Sequence, residues 1–168
     1  MDEQAKPILT LAKAGLILRV ICSAVTVAVQ VFAEPLTSLL HNPVTGSQIA
    51  AAANNPLGYV MPMAGLGVYI LFYVLLRNEI RRPTAFSGTL LILIFVSLPV
   101  MSLISAGYSM FLNMLYVRLY DVESYAALAQ IKSYSGIISR VFGSLTYPML
   151  AAAAGMNRQR ANSGAIQI

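Results

Sequence analysis

Four stretches of the chain, residues 9–32, 57–76, 89–112 and 137–156, are each long and apolar enough to span a bilayer. A transmembrane helix needs about 20 mostly apolar residues to cover a hydrocarbon core of about 30 Å. A backbone in lipid must satisfy its own hydrogen bonds, which leaves helices or closed barrels. No strand-like alternation supports a barrel, so the runs read as helices. The expected fold is an all-α integral membrane protein, a compact four-transmembrane-helix bundle. A short helical segment is expected in the outer connection between the third and fourth spans.

Composition agrees. Of 168 residues, 58% are hydrophobic and 10% charged, against roughly 25% charged in an average soluble domain. Once the spans are subtracted, no segment is long enough for a separate soluble core. Residues 1–156 therefore read as a single four-span membrane domain and 157–168 as a polar, basic cytoplasmic tail. A cleaved signal peptide fits poorly, because "MDEQAK" is acidic as well as basic and the apolar run after it is too long.

The cations set the orientation. Lys6 and Lys13 flank the start of the first span, Arg77, Arg81 and Arg82 fill the connection after the second, and Arg158 and Arg160 follow the fourth. The connection from Glu34 to Pro56 contains no Lys or Arg. By the positive-inside rule both termini are cytoplasmic, in a plasma membrane or bacterial inner membrane. The same distribution accounts for the formal charge of +5. It argues against nucleic acid as a partner, since the charges are scattered at span ends without an aromatic-basic platform.

The residue inventory offers little for catalysis. Cys22 is the single cysteine and His41 the single histidine, so neither a disulfide nor a common thiolate or histidine metal site can be assembled within the chain. No cofactor is implied. The serines lack a convincing base partner and are expected to bond their own helices or to let helices approach closely. The expectation is a protein that is not an enzyme.

Polar residues within or beside the spans are the remaining candidates. Arg19 lies inside the first apolar run, six residues beyond Lys13, about 9 Å along a helix. The preferred reading is a side chain that snorkels to the cytoplasmic headgroups. The sharper one is an arginine that faces the bundle and is paired, since an intramembrane charge is costly unless satisfied. Tyr73, Thr89 and, more distantly, Tyr147 are the candidate partners at similar depth. At the opposite end Glu34 follows Gln30 by one turn and Arg140 lies just inside the fourth span. An ion pair between Glu34 and Arg140 is expected if the first and fourth helices meet.

Other features concern shape and association. Pro62, Pro99 and Pro148 each remove a backbone donor and are expected to interrupt three of the four spans. Ser102 with Ala106, Ser105 with Ser109, Ser139 with Gly143, and Ala151 with Gly155 place small residues four apart, a spacing that allows close helix approach in lipid. Tyr108, Tyr116, Tyr120, Tyr125 and Tyr134 suit an aromatic belt on the outer side.

Besides the lipid bilayer, the expected partners are another membrane protein or further copies of the chain. The sequence accordingly points to a non-catalytic accessory, assembly or regulatory membrane subunit. A small oligomeric transporter or channel is the alternative. It is favoured by prolines beside Ser97, Ser102, Thr146 and Tyr147, and disfavoured by the lack of an acidic residue in mid-span.

Overall fold

The structure is a computed structural model that describes residues 5–32, 51, 55–81, 86–119 and 122–165; within the last segment, side chains are described at 137 and 141–163. Among the described residues the architecture consists of four α-helices: α1 (Ala5–Val31), α2 (Val60–Arg81), α3 (Ser87–Leu119) and α4 (Val122–Ala165). A turn of 3-10 helix, Pro56–Tyr59, leads directly into α2.

Helix starts follow from local chemistry. Pro7 falls in the first turn of α1, where its missing N–H would have had no intrahelical partner. Before α2, Asn55 Oδ1 accepts from Leu57 N at 3.1 Å, with Pro56 at the first helical position. Asn55 and Pro56 therefore open a helix. Pro62 lies in the first turn of α2 rather than interrupting it. Pro99 and Pro148 lie inside helices that continue past them. Near these prolines, side-chain hydroxyls bond back to their own helices: Ser97 Oγ donates to Ile94 O, Ser144 Oγ to Val141 O, and Thr146 Oγ1 to Gly143 O.

Among the described residues, three helical segments are long and apolar enough to cross a membrane: Ala5–Val31, Pro56–Arg81 and Ser87–Leu119. The expected short helix after the third span is not a separate element. From Val122 onward it belongs to α4, an unbroken helix of 44 residues that would measure about 66 Å if straight. The apolar run at 137–156 forms its middle.

The helices close into a ring in chain order. The most extensive interface joins α1 to α4, followed by α3 with α4, α1 with α2, and α2 with α3. Close contacts show that α1 runs antiparallel to both neighbours, since Gly15 and Arg19 meet Tyr69 and Gly65 of α2 in reverse order, and Thr146 and Gly143 of α4 likewise. Small side chains, Ala5 and Ala12 on α1 and Ala153 and Ala154 on α4, are buried in the core, where they allow close helix approach.

The core is concentrated toward one end. Ala5, Ile8, Ala12, Leu76, Ile80, Leu90, Leu150 and Ala154 are all buried, and they occupy the end that carries Lys6, Arg77, Arg81, Arg158 and Arg160. That basic end is also tied by a polar contact. Arg160 Nη2 donates to Ile80 O at 2.9 Å, next to the last residue of α2, where helix carbonyls lack intrahelical donors and a cation is favoured. Arg160→Ala should therefore lower stability by about 1–2 kcal/mol, while Arg160→Lys should recover part of the loss. Unfolding titrations in mixed micelles would measure both.

Candidate polar site between α1, α2 and α4

Arg19 is turned into the bundle. Its position is 14 residues from the start of α1 and 12 from its end, close to the middle of the helix, and its side chain is half-buried. A Cβ added to Gly65 of α2 would overlap Arg19 Nη2, and one added to Gly143 of α4 would stand 3.7 Å from Arg19 Nη1. Two glycines on two helices thus form the cradle for the guanidinium. Arg19 Cζ lies 5.8 Å from the ring centroid of Tyr147, within cation–π range. Arg19 Nε is buried and makes no hydrogen bond within the protein. This geometry differs from a snorkelling arginine: the long side chain is spent in reaching across to α2 and α4.

Tyr147 in turn packs edge-on against Tyr69, with ring centroids 5.7 Å apart and an interplanar angle of 74°. Tyr69 is fully buried, and its hydroxyl donates to Thr146 O at 3.0 Å. Space for that hydroxyl comes from Gly15, where an added Cβ would overlap it. The Tyr147 hydroxyl is buried without a hydrogen-bond partner. Arg19, Tyr147, Tyr69 and the glycines at 15, 65 and 143 therefore make one continuous cluster.

Toward the opposite end, Arg19, Ser23, Thr26 and Gln30 recur at spacings of four, three and four on α1, which places them along one helix face. Ser23 and Gln30 are buried, and Thr26 Oγ1 donates to Cys22 O at 2.9 Å. Gln30 Nε2 donates to Gly58 O at 3.3 Å, while Gln30 Oε1 is buried without a partner. A Cβ at Gly58 would come within 3.4 Å of the Gln30 amide. Gly58 and Gly65 thus play equivalent parts, each facing a long polar side chain from α1.

Not every anticipated residue joins this cluster. Tyr73 is half-buried at the edge of the apolar core, and Thr89 is exposed near the start of α3. Glu34 lies outside the described residues, as does the side chain of Arg140; α1 and α4 do pack together as that ion pair requires. His41 is also outside the described residues. Cys22 is a free thiol buried among the helices. Reading the sequence missed Tyr69 and the glycines at 15, 58 and 65, and marked Gly143 only as a small residue for helix packing. The available signal was the placement of Gly58 and Gly65 seven residues apart, two helical turns, opposite Gln30 and Arg19.

Chemically, the cluster presents a fixed positive charge and a phenol donor to an interior with no carboxylate beside them among the described residues. Guanidinium stays protonated under all ordinary conditions. The arrangement is suited to holding negative charge. Comparison of the chain with protein-family models, with curated proteins and with solved structures finds no match.

Proposed function

We propose that the protein is a non-catalytic accessory subunit of a membrane assembly, and that α3 is the helix that docks its partner. The observation supporting this reading is the position of α3 relative to its own bundle. From residue 95 to residue 115 no side chain on this helix is buried. Exposed Leu, Met and Phe require nothing beyond lipid. Ser102, Ser105, Ser109 and Asn113 are exposed as well and fall three or four residues apart, with Ala106 among them. Hydroxyl and carboxamide groups on a lipid-facing helix gain hydrogen bonds when a second helix covers them. The occupant is therefore a transmembrane helix of another membrane protein with small or hydroxylated residues on its docking face.

In this reading the run at 137–156 within α4 is the fourth crossing, both termini are cytoplasmic, and the membrane is a plasma or bacterial inner membrane. The basic residues at one end of the bundle support that orientation. Reporters fused after residue 165 and before residue 5 should both register on the cytoplasmic side, and one inserted near residue 128 on the other.

The docking test uses Ser105→Cys in a Cys22→Ser background, cross-linked in native membranes and extracted into lipid nanoparticles. A stoichiometric adduct with a second membrane protein is expected, and adding Ser109→Leu to the cysteine variant should abolish it while the bundle keeps its thermal stability. A particle containing the chain alone, or cross-linked only to copies of itself, would sink the reading.

A second reading, an oligomeric transporter, is favoured by one specific feature, the file of polar residues on α1 that ends at Arg19. Reconstituted protein should then pass anions across vesicles, with flux reduced at least about tenfold in Arg19→Gln if the charge supplies about 1.4 kcal/mol of site affinity.

A further inference from the structure

We infer that Arg19 and Tyr147 form an intramembrane binding site for an oxyanion, a carboxylate or phosphate group held by Arg19 Nε and the tyrosine hydroxyl. Two donors of one cluster are buried and lack acceptors: Arg19 Nε and Tyr147 Oη. Tyr147 retains only 7% of its surface, and its ring stands 5.8 Å from Arg19 Cζ. A charge near the middle of a transmembrane helix is costly unless it is paired, and a ring face neutralises none of it. Among the described residues no carboxylate meets the guanidinium.

The geometry selects the class of ligand. Nη2 lies against Gly65 and Nη1 nearer Gly143, so Nε is the guanidinium donor that is buried and without an acceptor. One charged N–H and a phenol O–H suit an anionic oxygen acceptor such as a carboxylate or phosphate, because charge-assisted hydrogen bonds are stronger than neutral ones. Arg19 as a whole is partly exposed while Nε itself is covered, so a ligand that reaches Nε displaces the side chain that covers it. The polar face of Ser23, Thr26 and Gln30 leads to it from the far end of α1. The same chemistry can arrive from two sources: the carboxylate of a free fatty acid within the bilayer, or a small soluble anion.

The test uses the full chain in nanodiscs of zwitterionic phosphatidylcholine, titrated separately with oleate, acetate and inorganic phosphate, with thermal unfolding and native mass spectrometry as readouts. At least one oxyanion should raise the unfolding midpoint of the wild type and be retained on it. Arg19→Gln should weaken that binding by about tenfold or more. Tyr147→Phe keeps the ring and removes only a hydroxyl without an internal partner, so it should fold normally and bind several-fold more weakly. A response to oleate alone identifies a membrane-borne carboxylate, and a response to acetate or phosphate identifies an aqueous source. The site is ruled out if no oxyanion shifts the wild type, or if either variant, shown to be folded, binds as the wild type does. The proposal stands apart from the docking of α3, whose cross-linking is read out separately.

Discussion

Gly15→Ala should destabilise the bundle by about 1–3 kcal/mol, the cost of forcing extra volume into a filled interior. The added methyl would overlap the hydroxyl of Tyr69 and come within 3.3 Å of Met149 Cβ and 3.4 Å of Thr146 O. Tyr69 has little room to retreat, because it is fully buried, bonded to Thr146 O and wedged edge-on against Tyr147. The overlap involves one atom, which makes the prediction separable. Tyr69→Phe removes that atom and gives up one hydrogen bond, worth about 0.6 kcal/mol on average within a membrane protein. Gly15→Ala with Tyr69→Phe should therefore be more stable than Gly15→Ala alone. Unfolding of the four species in mixed micelles gives the coupling energy directly. Additive losses would mean that Gly15 is needed for some reason other than the tyrosine hydroxyl.

The second large effect is expected at Leu150, which is fully buried beside Ala12, Tyr69 and Leu90 in the core. Leu150→Ala should cost about 2–5 kcal/mol, combining lost dispersion contacts with the cavity left behind. Leu103, 74% exposed on α3, is the matched control. Leu103→Ala should leave the stability of the isolated chain within about 0.5 kcal/mol of wild type. The two leucines are alike in composition and hydropathy, so a large difference between them tests the placement of the core at the basic end. Equal losses would contradict it.

How much of this was legible in the sequence depends on which property is asked of which residue. Helix positions were readable because lipid demands length and apolarity, and three of the four anticipated runs lie in helices that meet both criteria. Helix faces were not readable, since lipid-facing and core-facing side chains are equally apolar: Leu90 is buried and Ile92, two residues on, is 60% exposed. Prolines misled because a missing donor marks a break only where the helix cannot absorb it. Pro62 sits in the first turn of α2, and Pro99 and Pro148 are accommodated within continuous helices. Arg19 was conspicuous as a charge, but its direction depended on Gly65 and Gly143, which are distant in sequence and meet it only once three helices have assembled.

The pairing of α1 with α4 also constrains how the chain matures. Among the described helices α1 makes its largest interface with α4, the one furthest from it along the chain, so the most extensive contact has the longest sequence separation, the kind that is slowest to form. Until α4 emerges, one flank of α1 faces lipid with Ala12, Gly15 and Arg19 uncovered on that side. A ribosome-bound intermediate of three helices would expose an arginine in the bilayer. The insertion machinery must therefore shield α1, or let it shift toward the surface, until α4 arrives and locks it.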